Sequence, residues 1–185
     1  VNHDIKPSNM MVTNRSAISI NGDHQSAIEA IEAKLRSGEN SLVYKLIDFG
    51  EARHQKHAQG SSESCAECAY FAGTPIYMCE EKARSVGRRY DPYLADAFSF
   101  GASLLHLMMG DVRFKACWLR CMTPLICYRQ FQAELRNQKK ESYFPQYLFA
   151  VGRLLRSEPE RARVYEALRL FNIREVTPQT SNYYF

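Results

Sequence analysis

Asn2-His3-Asp4-Ile5-Lys6-Pro7-Ser8-Asn9 opens the chain, and Ile47-Asp48-Phe49-Gly50 follows far downstream. Both are polar junctions set against short apolar runs. Met10-Met11-Val12 reads as a strand leaving the first, and Leu42 to Ile47 reads as a strand entering the second. Between them, residues 13 to 24 are polar and contain the turn pair Asn21-Gly22. In the stretch from Gln25 to Arg36, Ile28, Ile31 and Leu35 share one helical face, and Gly38 can end the helix. Residues 51 to 69 are rich in Ser, Ala, Gln and His and read as a mobile loop. Ala95 to Met109 is an apolar helix that includes Phe98, Leu104, Leu105, Leu107 and Met108, with Gly110 just after. Apolar on most faces, it is expected at the centre of the core. From Asp111 the pattern is mainly helical. Leu148, Val151, Leu154 and Leu155 form one stripe, and Val164, Leu168 and Phe171 form another. The tail from Thr177 to Phe185 has no periodicity, which predicts a loose end. The expected fold is mainly α, a helical bundle with one small β-hairpin.

The chain has 185 residues, of which 45% are hydrophobic, enough for one sizeable core. Its net charge of +4 is spread along the chain, with basic residues gathering only in pairs such as Arg88-Arg89 and Lys139-Lys140. That pattern predicts a solvated surface and no nucleic-acid partner. No run of about 18 apolar residues occurs, so no membrane partner is expected. The first residues lack a charged segment followed by an apolar one, so no signal peptide is read there. The six cysteines show no disulfide framework.

Three further stretches bear on the first two. Gly73-Thr74-Pro75-Ile76-Tyr77-Met78-Cys79-Glu80-Glu81 follows the polar loop. Asp96-Ala97-Phe98-Ser99-Phe100-Gly101 opens the apolar helix. Pro159-Glu160-Arg161 follows the first late stripe. In this order and rough spacing, the five elements resemble the catalytic loop, the Asp-Phe-Gly motif, the end of the activation segment, the central-helix aspartate and the buried arginine of a eukaryotic serine/threonine protein kinase. The resemblance runs from Val1 to about Phe171 and covers the C-terminal lobe. It implies a partial kinase domain over residues 1–176, with an insertion at about 13–41 between the strands and a loose tail at 177–185. The insertion is either a surface decoration or a docking element.

The roles that the resemblance implies follow the needs of phosphoryl transfer, which asks for positioning and for positive charge on the phosphates. Asp4 would accept or orient the proton of the acceptor hydroxyl, a function typically worth ~100- to 10,000-fold in rate. Lys6 would reach the transferring phosphoryl group of ATP. Asn9 and Asp48 would offer oxygens to Mg2+. Phe49 would pack into the core and aim Asp48, and Gly50 would permit the turn after it. Thr74 would contact Asp4 and Lys6 and shape the site for a serine or threonine acceptor. Glu81 would pair with Arg161, and Asp96 would hold the catalytic-loop backbone. Lys6, two residues after Asp4, matches the serine/threonine pattern rather than the tyrosine one.

Several positions depart from the family. The usual His-Arg-Asp reads Asn2-His3-Asp4, which removes the arginine that receives an activation-loop phosphate. Histidine has a pKa of about 6.5 and is mostly neutral at pH 7, so it is a poor phosphate clamp. Activity is therefore expected to depend little on loop phosphorylation, for which Ser61, Ser62 and Ser64 are candidates by location. Glu80 stands where a proline is usual, which loosens the end of the segment. His54, His57, Cys65 and Cys68 lie within fifteen residues and have donor types suited to zinc. The reading favoured for them is an incidental set in a polar loop. Cys79, Cys117, Cys121 and Cys127 read as packing thiols.

No Gly-x-Gly-x-x-Gly run occurs, and neither the strand lysine nor its glutamate partner is present. The chain begins with Val, and the resemblance implies an N-terminal lobe outside these residues. Without the helix that precedes the catalytic loop in the family, apolar area on 95–109 would be uncovered. At about 25 cal/mol per Å2, a few hundred Å2 would cost several kcal/mol. The isolated chain is thus expected to be unstable and inactive. Three functions stay open: a protein serine/threonine kinase using Mg-ATP on a protein substrate, a pseudokinase or scaffold, and a small-molecule phosphotransferase. Each implies an intracellular protein, cytoplasmic or nuclear.

Overall fold

The computed structural model describes residues 1–14, 42–53, 72–84, 90–120, 123–138 and 145–169. The expected helix at 25–36, most of the 13–41 insertion, the His54/His57/Cys65/Cys68 set, Ser61, Ser62 and Ser64, Cys121, Phe171 and the tail lie outside the described residues. The backbone groups into two compact units, one of residues 1–7 and 50–185 and a smaller one of residues 8–49.

The smaller unit is a two-stranded antiparallel sheet. β1 (Met10–Asn14) pairs with β2 (Leu42–Leu46) in the register Met10 to Leu46 through Asn14 to Leu42. The strands lie where the apolar runs predicted them. Asp48, with φ of 63°, takes a left-handed backbone conformation. Aspartate enters that region more readily than most residues, because its short side chain bonds locally. Phe49 is not where the resemblance put it, since it is 62% exposed. A two-stranded hairpin has no interior of its own in which to bury a ring.

The larger unit is helical among its described residues, as the sequence predicts. Its helices are α1 (Glu80–Ala83), α2 (Pro92–Met109), α3 (Asp111–Leu119), α4 (Pro124–Asn137), α5 (Pro145–Leu154) and α6 (Val164–Arg169). α2 begins three residues before the apolar run, because Asp91 caps it. The Asp91 carboxylate accepts from the N–H groups of Tyr93 at 2.8 Å and Leu94 at 3.1 Å, and Pro92 supplies the preset first turn. Gly110, at φ 82°, ends it.

α2 packs against α3, α4 and α5 and is the central helix. Its buried face carries Ala95, Ala97, Phe98, Ala102, Leu105 and Met109. Leu107 faces outward instead, 60% exposed, because a helix packed on three sides still leaves one stripe to solvent. Gly101 allows α5 to approach closely: a Cβ there would lie 2.7 Å from Leu154 Cβ. Leu148, Val151, Leu154 and Leu155 are all buried against this helix and its neighbours. Cys79 and Cys127 are buried in the same core, and burial pushes their thiols up to about 11 and about 12, which suits packing groups. Among the described residues, no helix is long and apolar enough to cross a membrane.

Candidate active site

The loop at residues 2–6 is held from one side by α2. The Asp96 carboxylate accepts from the backbone N–H of Asn2 at 2.6 Å and of His3 at 2.9 Å. Burial pushes this carboxyl above its ordinary value, while the two N–H donors and the charge of Lys82 pull it back. Asn2 Oδ1 accepts from the Asp4 N–H at 3.0 Å, and Ser103 Oγ donates to the Ile5 carbonyl at 3.4 Å as well as to Ser99 O at 2.7 Å. The loop backbone is thus fixed at consecutive residues, which no secondary structure does for it.

On that loop, three expected site residues meet. Thr74 Oγ1 donates to Asp4 Oδ1 at 2.8 Å and accepts from Lys6 Nζ at 2.9 Å, and Lys6 Nζ lies 2.7 Å from Asp4 Oδ2. Each hydrogen-bonding group in this triangle faces a complementary one. The Asp4 carboxylate is charge-paired and hydrogen-bonded, so it orients a hydroxyl better than it abstracts a free proton. A groove of about 660 Å3 beside Glu81, Phe98, Trp118 and Arg161 lies elsewhere, and its lining includes none of the three.

His3 is buried, at 4% exposure, with φ of 70°. Burial, helped by the nearby Lys82 charge, lowers its pKa to about 4. The ring is neutral at pH 7 and turned from solvent, so it is not placed to clamp a phosphate. Its Nδ1 and the Nδ2 of Asn2 are buried without a partner among the described residues.

The segment from Gly73 to Arg84 is anchored at its far end by an ion pair. Arg161 Nη2 contacts Glu81 Oε1 at 3.1 Å and Oε2 at 3.0 Å. The same guanidinium donates to Arg156 O and Leu94 O and lies 4.9 Å over the Phe98 ring. Burial pushes the Glu81 carboxyl up, but the N–H groups of Glu158 and of Glu81 itself, with Arg161, outweigh it and hold it below the usual range. Glu80, in the proline position, is the exposed first residue of α1 and pairs with Arg84 at 2.7 Å.

Asn9 and Asp48 belong to the smaller unit. The Ile47 N–H donates to Asn9 O at 2.8 Å, one rung beyond Met10 and Leu46, so the register puts Asp48 a single residue past Asn9's partner. Asn9 is buried and Asp48 exposed. Among the described residues, no group of three or more His, Cys, Asp or Glu side chains could hold a metal. One carboxylate and one amide suit Mg2+ that takes its other ligands from phosphates and water, so the donor set fits magnesium only together with a nucleotide.

Sequence reasoning missed Lys82. It is 1% exposed and donates to the His3 carbonyl at 2.8 Å. A lysine beside two glutamates in a four-residue helix reads as surface, and so short an element has no periodicity to reveal its buried side. Compared with models of known protein families the chain matches none, and no curated protein matches it.

Proposed function

We propose that this chain is the catalytic-loop half of a protein kinase that transfers the γ-phosphoryl group of ATP to serine and threonine hydroxyls of a protein substrate. The observation that carries the reading is the closed triangle of Asp4, Lys6 and Thr74 on a loop tied to Asp96. It supplies one oriented carboxylate for an acceptor hydroxyl and one cation for a phosphoryl group, the two things phosphoryl transfer asks of a protein. Thr74 joins the 73–84 segment to that pair. The ion pair of Glu81 with Arg161 fixes the same segment to the helical core.

Asp4 would align the hydroxyl and take up its proton late, as the bond to phosphorus forms. Lys6 would balance the charge on the moving phosphoryl oxygens. Asn9 and Asp48 are the residues that would hold magnesium, which when bound neutralises the nucleotide phosphates. Their assignment rests on the sequence resemblance and on the strand register. A second reading, a scaffold without catalysis, is favoured by Phe49, whose exposure leaves Asp48 without the packed ring that would aim it.

The test is phosphoryl transfer from radiolabelled ATP with magnesium by the full-length protein to peptide libraries carrying Ser, Thr or Tyr. The kinase reading expects labelled Ser and Thr peptides and a loss of ~100-fold or more in Asp4→Asn. Equal labelling by wild type and Asp4→Asn would leave the scaffold reading.

A further inference from the structure

Lys82 is a buried amine that the proposed chemistry does not use. An ammonium group taken out of water is costly unless its charge and donors are matched. Here the Nζ points to the His3 carbonyl at 2.8 Å; burial lowers the pKa of Lys82, and the carboxylates of Asp96, Asp4 and Glu51 pull the other way, Asp96 most of all. Gly73 completes the contact. Its φ is 106°, and a Cβ there would lie 2.4 Å from His3 O and 3.4 Å from Lys82 Nζ. Only a glycine lets the segment pass so close to the carbonyl.

The result is a residue whose backbone is gripped at both ends. The N–H of His3 is held by Asp96 on α2, and its C=O is held by Lys82 on α1. The next residue is Asp4. We propose that Lys82 is a positioning residue for Asp4: it ties the 73–84 segment to the catalytic loop through the His3 carbonyl, so that the tie needs no phosphate group on the chain. This rests on the kinase reading above. The polarity of the link is the reverse of an arginine clamp. The cation comes from the segment and the acceptor from the loop backbone, while the side chain at position 3 is a neutral imidazole inside the protein.

The test uses the full-length protein and the variants Lys82→Met and Lys82→Arg, each with and without phosphatase treatment. Misplacing a catalytic group by about 1 Å costs on the order of 100-fold. Lys82→Met is therefore expected to lower kcat by roughly 10- to 100-fold, with little change in KM for ATP or peptide. Its melting temperature should fall, because the His3 carbonyl loses its donor and Asp96 its nearby cation. Lys82→Arg should recover part of kcat, and phosphatase should leave wild-type kcat unchanged. A purely structural lysine would lower the melting temperature and leave kcat of the folded fraction intact, which overturns the proposal. Lys82→Met within twofold of wild-type kcat, or a phosphatase-sensitive wild type, overturns it too and leaves the kinase reading standing. If Lys82→Met does not fold, Lys82→Gln decides by the same criteria. A wild type no more active than Asp4→Asn removes the kinase reading and the proposal with it.

Discussion

Arg161 and Glu81, eighty residues apart in sequence, form a two-point ion pair in which one guanidinium nitrogen reaches both carboxylate oxygens. The arginine side chain is 1% exposed and the glutamate side chain 24%, so the pair is shielded from water on one side and partly open on the other. It fastens the C-terminal end of the 73–84 segment to the loop that follows α5.

Arg161→Met should be among the more damaging single changes. It strips Glu81 of its counter-charge and frees the carbonyls of Leu94 and Arg156. Breaking one side of a buried pair costs about 3–5 kcal/mol. Urea unfolding of the variant should show that loss. Arg161→Met with Glu81→Met should recover part of it, since the stranded carboxylate is then gone.

Asp96→Ala leaves the N–H groups of Asn2 and His3 without their acceptor. An unsatisfied buried donor costs about 1–3 kcal/mol, so a total of several kcal/mol is expected. Asp96→Asn keeps one acceptor oxygen and should fall between wild type and Ala. Amide hydrogen exchange at residues 2–4 should accelerate in the same order.

His3 sets a pH dependence. Its pKa is about 4 in the folded protein against 6.5 when unfolded. Between those values the unfolded chain binds the proton and the folded one does not. Stability is therefore full above about pH 6.5 and falls as the pH drops toward 4, by about 3 kcal/mol from this residue. Asp96, whose pKa burial raises, works in the opposite sense at the acid end, because its folded form takes up a proton more readily. Glu81, whose pKa is lowered, adds a further loss below its ordinary range. Denaturant unfolding from pH 7.5 to 4.5 should show the slope. His3→Asn, which tolerates the left-handed backbone, should flatten it.

Gly101→Ala tests the contact of α2 with α5. The added Cβ would stand 2.7 Å from Leu154 Cβ and 3.4 Å from Leu155 Cδ2. Leu154 Cβ is fixed to its own helix and cannot swing away. The overpacking cost of about 1–3 kcal/mol should exceed the gain of roughly 1 kcal/mol that alanine brings to a helix interior. A lower melting temperature is the expected result.

Much of the candidate site was legible because its chemistry is carried by residue type and order. The Asp4, Lys6 and Thr74 contact, the Asp96 grip on the loop and the Glu81 pair with Arg161 all join residues that the motifs singled out. Lys82 was not legible, because nothing in a short acidic stretch says which side chain turns inward. Phe49 was misplaced because a motif gives the residue and not the wall it packs on. The boundary of α2 was misread by three residues, since the apolar run ignores an Asp-Pro cap.

The sequence by itself determined the helical class, the β1–β2 hairpin, the central helix and the identities of the groups that meet on the 2–6 loop. Periodicity and residue chemistry are local properties, and they are written along the chain. The tertiary structure decided that His3 is neutral, that a buried lysine holds its carbonyl, and that Phe49 lies exposed. Each depends on burial or on a contact across tens of residues. Desolvation, which sets a charge state or makes a carbonyl worth a lysine, exists only once the chain has closed around the group.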